Sequence, residues 1–133
     1  MLRHLIGLTA VVLVTACSPG AAPPILSGEA IRYEEGQIAE RWQLTPEERS
    51  NVRAWLDAHS SGWNLSAADH APALLVLLQY EDYSLASLNI HSSFVVQVRG
   101  RWEYTKDFAA PDIEALRQAL TASTTANNRS RGP

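Results

Sequence analysis

Cysteine is almost absent: Cys17 is the only one in 133 residues. Once that thiol is modified, disulfides, cysteine metal sites and thiol catalysis are closed to the chain, and the fold must rest on its core alone. Membrane-spanning length is missing too. The N-terminal apolar run, Leu5 to Val14, covers ten residues, half of the roughly 20 that a helix needs to cross a bilayer. The seven glycines are scattered and build no phosphate-cradling loop, so no cofactor is expected. Basic residues form no cluster and the formal net charge is −3. That balance argues against nucleic acid as a partner and against an electrostatic grip on anionic headgroups. Beyond residue 16 the histidines are His59, His70 and His91, with no His-x-x-x-His pair. No metal centre is expected from such spacing.

What is present begins with an export signal. Arg3 and His4 give a short positive start, the apolar run follows, and small residues precede Cys17. Ser18-Pro19-Gly20 then ends the apolar character abruptly. The run Val14-Thr15-Ala16-Cys17 resembles the lipobox of bacterial lipoproteins. That resemblance implies cleavage before Cys17, a thioether-linked diacylglyceryl group on its sulfur and an acyl chain on its new amino group. One buried chain holds a protein only marginally, at about 0.8 kcal/mol per CH₂, whereas two or three hold it stably. The expected partner is therefore the lipid bilayer itself. Ser18, in the position after the cysteine, implies sorting to the outer membrane, on its periplasmic face.

Removing residues 1–16 leaves 117 residues with a formal charge of −4, enough for one domain with one core. Residues 17–28 are expected to form the lipidated end and a flexible tether, since prolines and glycines oppose regular structure there. Residues 29–120 are expected to fold. The polar segment 121–133 is expected to be a disordered tail.

Within the folded part, Thr45-Pro46-Glu47-Glu48 reads as an N-cap, a proline at the first helical position and a capping box. Val52, Trp55, Leu56 and His59 recur at helical spacing, which predicts a helix over 46–59. A second helix is expected over about 111–121, with Ile113, Leu116 and Leu120 as its apolar stripe. Leu74 to Leu78 is near-continuously apolar, as in the middle strand of a sheet. Phe94, Val96 and Val98 alternate on one face of a strand, Arg99-Gly100 suggests a turn, and Trp102 and Tyr104 continue a further strand. Between Ala30 and Leu44 one or two strands are split at Gly36, with a helical alternative for Gln37 to Arg41. The fold class is α+β: a small antiparallel sheet of about four to six strands carrying two helices.

Catalytic chemistry is thinly signalled. Ser60 or Ser61, Asp69 and His70, or Asp57 and His59, could be assembled on paper with His91. None lies in a Gly-x-Ser-x-Gly elbow. Glu34-Glu35, Glu47-Glu48 and Glu81-Asp82 are explained by turns and a helix start, and sequence neighbours rarely face each other across a cleft. The aromatics are more suggestive. Trp55, Trp102 and Tyr104 fit a core. Trp42, Trp63 and Tyr83 lie in loops or at element ends and could form a partner-binding surface, rimmed by Arg99 and Arg101 with Lys106 nearby. The expected function is a non-enzymatic binding, assembly or inhibitory module for an envelope protein or cell-wall partner. A small envelope hydrolase and a periplasmic carrier of small apolar ligands are the alternatives.

Overall fold

The structure, a computed structural model, describes residues 19, 21–66 and 68–130. The expected export signal, Cys17 and Ser18 lie outside the described residues. Among those described, the elements run β1 (Ile25–Glu34), β2 (Gln37–Gln43), α1 (Pro46–Ala58), β3 (Asn64–Leu65), β4 (Leu74–Tyr80), β5 (Leu85–Ile90), β6 (Phe94–Arg99), β7 (Trp102–Asp107) and α2 (Ala110–Ser130). The strands form one antiparallel sheet in the order β2-β1-β4-β5-β6-β7-β3. This is the expected α+β architecture, with seven strands rather than four to six. The difference has two local causes: β3 is too short to leave a pattern, and the segment around Gly36, read as one or two strands, forms both β1 and β2.

Tight turns hold the meander together. Glu35 and Gly36 both have positive φ, at 51° and 77°, the backbone of a type I′ hairpin whose twist matches its strands. Gly100 has φ 60° at the first loop position between Arg99 and Trp102, the position that a type II′ turn gives to glycine. The α1 capping box is complete: Thr45 Oγ1 accepts from the Glu48 amide at 3.2 Å, and Glu48 Oε1 accepts from the Thr45 amide at 2.9 Å. His59 caps the other end of the helix.

Both helices cover one face of the sheet. Ala30, Val76, Leu88, Ile90 and Val95 from the strands meet Val52, Trp55, Leu56, Ile113, Leu116 and Leu120 in one core cluster. Trp42 Nε1 ties the sheet to α2 by donating to Leu120 O, and Trp55 Nε1 ties α1 to α2 by donating to Asp112 O, each at 3.0 Å. The apolar stripe of α2 ends near residue 120, yet the helix continues to Ser130 through the segment read as a tail. A nucleated helix gains one hydrogen bond per added residue, so extension needs little further packing.

The alternation of β6 faces the other way from the helices. Val95 belongs to the core cluster, while Val96 pairs with Asn89 on the second face. There the segment leading into β4 crosses the sheet. Asn89 Nδ2 donates to Ala71 O at 3.1 Å, and Asn89 Oδ1 accepts from the Ala73 amide at 3.0 Å. Val96 is consequently buried at 3 % exposure, whereas Leu77, on the same face of β4, remains 41 % exposed.

Gly28 shows why β1 begins four residues before the expected domain start. A Cβ there would lie 2.7 Å from Leu44 Cδ1 and 3.2 Å from Leu78 Cδ2. The glycine permits close approach inside a strand rather than marking a tether. Gly28→Val is expected to destabilise the domain by about 1–3 kcal/mol through overpacking, seen as a lower urea midpoint at unchanged slope.

Candidate functional site

The chain enters the domain at the end of the sheet where β4 turns into β5. The Glu81 amide donates to Pro24 O at 2.9 Å, Ala22 is buried, and Arg99 Nη1 donates to Pro19 O at 2.6 Å. Of the residues expected to hang as a free tether, Pro19, Ala22 and Pro24 therefore pack on the domain, and Ile25 to Gly28 belong to β1. Arg99 also lies over the Tyr80 ring, 5.5 Å from its centroid, so one guanidinium braces both the incoming chain and the sheet end.

The β4–β5 turn at this end is unusual. The Tyr83 amide donates to Tyr80 O, the Tyr80 amide donates to Ser84 O, and Tyr83 sits at φ 65°. This is a three-residue loop whose last position normally falls to glycine. Asp82 Oδ1 accepts from both the amide and hydroxyl of Ser84, which holds the carboxyl below its usual range and pins the turn. Tyr83 is 74 % exposed, so no packing in the isolated domain repays its left-handed backbone. Tyr83→Gly is accordingly expected to raise stability by about 1 kcal/mol, read as a higher urea midpoint.

Exposed apolar side chains gather around this turn. Among the described residues seven large hydrophobics are exposed, and four of them (Leu26, Tyr83, Leu85 and Trp102) lie at this end. The registers place Leu85 and Trp102 there, on opposite faces of the same sheet end: Leu85 pairs with Gln79, and Arg99 with both Ala86 and Trp102, while Leu65, paired with Tyr104, lies further in. Leu26 is the bulged residue opposite the end of β4. Trp102, Arg101 and Leu65 also line an open groove of about 540 Å³. Tyr83, Arg99 and Arg101 lie at this same end of the sheet.

The other two aromatic candidates do not join them. Trp63 is 3 % exposed, its Nε1 donating to His59 O at 2.6 Å and its ring edge-on to Phe108. Trp42 is half-buried under α2 through its bond to Leu120. Both indoles serve packing, because each N–H finds a backbone carbonyl inside the fold. In their place at this end stand Leu26, Leu85 and Trp102. Trp102 fitted the core by its alternation with Tyr104, and the leucines look no different from buried ones in sequence.

The acid–base candidates divide between the two faces. His59 belongs to the helix layer, its Nδ1 2.7 Å from Trp55 O, its Nε2 3.7 Å from Asp112 Oδ1 and its ring 4.3 Å from Trp55. Asp57, Ser60 and Ser61 are exposed beside it. His70 and His91 meet on the other side of the sheet, 5.9 Å apart, with His91 stacked on Phe94 at 4.3 Å. Both Nε2 atoms there are buried without a hydrogen-bond partner, and Asp69 points to solvent. Two rings brought together this way stack a loop onto the sheet. Among the described residues, no three His, Asp or Glu side chains converge as metal ligands, and no helix is long and apolar enough to cross a membrane. A groove of about 250 Å³ between Ser27, Gln43, Leu77 and Leu85 is open to solvent.

The His91 pKa is lowered from 6.5, first by burial and second by the neighbouring His70. The unfolded chain therefore binds more protons below that value. The contribution of His91 is complete above the unfolded pKa and is lost as pH falls through the folded one. Urea melts are expected to show lower stability at about pH 5 than at pH 7. His91→Phe, which keeps a ring against Phe94, is expected to reduce that difference.

Comparison of the chain with protein-family models, with characterised proteins and with solved structures finds no match in any of the three.

Proposed function

We propose that this protein is a lipid-anchored envelope protein that works by contact rather than by catalysis. Cys17 carries the lipid, and the α+β domain behind it presents its exposed apolar end as the contact surface. The observation that carries this reading is the gathering of Tyr83, Leu85 and Trp102 where the chain enters the fold. Large exposed apolar side chains grouped in this way mark interaction surfaces. The division of His59 from His70 and His91 between two faces gives less support to the hydrolase alternative, which needs its acid, base and nucleophile within one hydrogen-bonded reach.

Metabolic labelling with an alkyne fatty acid tests the anchor. Wild-type protein should incorporate the probe and Cys17→Ser should not; a labelled serine variant would defeat the lipobox reading. Complementation of a deletion strain separates contact from catalysis. His70→Asn and His91→Asn should retain activity in the envelope, while the triple change of Tyr83, Leu85 and Trp102 to serine should lose it. The reverse pattern would favour an enzyme.

A further inference from the structure

We infer that the partner of this exposed end is the bilayer itself, so that the domain lies docked on the membrane in one fixed orientation. The inference rests on the reading of Cys17 as lipidated, and adds to it a geometry and a partner.

Chain length is the first argument. The Pro19 carbonyl is held by Arg99, and Cys17 precedes Pro19 by two residues. Two extended residues reach about 7 Å. The polar layer on each side of the hydrocarbon core is about 5–8 Å deep. A lipid on Cys17 therefore draws the Arg99 end of the sheet to the membrane interface, and no length of tether remains to let the domain roll away.

The second argument is what that end displays. Tyr83, Leu85 and Trp102 are 74 %, 67 % and 54 % exposed, with Leu26 at the same end. Tyrosine and tryptophan favour the interface, where the ring meets acyl chain and the polar tip meets headgroup and water. The opposite end, formed by the β1–β2 turn and the close of β7, carries Glu34, Glu35 and Asp107, with Ile38 the one large exposed hydrophobic near it among the described residues. Such a division has no use for a freely tumbling domain and suits one that lies against a membrane.

The third argument is the left-handed Tyr83. Keeping a bulky side chain at φ 65° opposes folding, and such strain persists where function holds it. Placement at the tip of the lipid-proximal turn is a reason to hold it. Since the lipid already confines the domain, a few shallow insertions suffice, their local concentration being fixed by the anchor. Glu81 and Asp82 share this end with Arg99 and Arg101, so docking is apolar in kind. It should be as strong on phosphatidylcholine as on anionic vesicles, and little changed by salt.

The test uses the full lipidated chain in phosphatidylcholine vesicles containing no other protein. With Cys17 acylated, a cysteine placed at an exposed site is the sole thiol. Tyr83→Cys and Leu85→Cys, each carrying an environment-sensitive fluorophore, are compared with Ile38→Cys, 51 % exposed on β2 near the far end. Labels at 83 and 85 should emit at shorter wavelength and be quenched by brominated lipid at least about threefold more than the label at 38, as expected for side chains in the interface. Equal hydration at all three sites, with fatty acid still present on Cys17, would overturn the docking and leave the anchor standing. Absence of fatty acid from Cys17 would overturn both. Equal quenching at 38 and 83 would overturn the orientation inferred here.

Discussion

Trp55→Ala is expected to cost the domain about 3–5 kcal/mol, the range for removing a buried tryptophan. The side chain is 6 % exposed and stands where α1, the start of α2 and the strand-to-helix connection meet. Its ring lies 4.3 Å from His59 and 4.9 Å from Phe108, and its Nε1 donates to Asp112 O. Alanine removes all three contacts and leaves a cavity that two helices and a loop would have to close together. Trp55→Phe keeps most of the packing and loses the hydrogen bond, so a smaller loss of about 1–2 kcal/mol is expected. Against a total of about 5–15 kcal/mol for a domain of this kind, the alanine variant should lower the melting temperature by more than about 10 °C. Urea titration of the pair measures both values. Equal losses in the two variants would show that the hydrogen bond, rather than the ring, couples the helices.

Trp55 was also legible as a core residue in the sequence, for a physical reason. Helix α1 is specified locally: the Thr45–Glu48 box closes over three residues and the stripe recurs within two turns. The Gly100 turn and the central place of β4 were readable on the same terms. What escaped depends on chain segments far away in sequence. Gly28 is needed because Leu44 and Leu78 arrive beside it, and nothing in its neighbours announces them. Alternation in β6 revealed two faces but could not say which one the helices cover. Nor could it show that residues 68–73 shelter the other. The candidate surface draws Tyr83, Arg99 and Arg101 from one end of the sheet. It was misread in Trp63, where a loop position suggested exposure but Phe108 and the His59 carbonyl enclose the ring. The leucines of the tether end were invisible as a group, because only the registers of five strands bring them to one rim.

Leu88→Ala is expected to cost about 2–5 kcal/mol, since the site cannot collapse. Leu88 is fully buried at the centre of the sheet, paired with Val76 on one side and Gln97 on the other. Strands flank it and helices lie above, so the vacated volume persists as a cavity. Its neighbour carries the opposite expectation. Gln97 is 2 % exposed, and its Oε1 finds no donor among the described residues. A buried polar atom without a partner costs roughly 1–3 kcal/mol, and leucine fills similar space without that atom. Gln97→Leu should therefore stabilise the domain by about 1–2 kcal/mol, measured on the same urea scale. A loss instead would mean that the amide holds something the apolar side chain cannot. The two residues touch through one register pair, so the double variant should depart from additivity by about 0.5 kcal/mol or more. Leucine at 97 can lean into the apolar space left at 88, whereas glutamine would have to bring its amide into it.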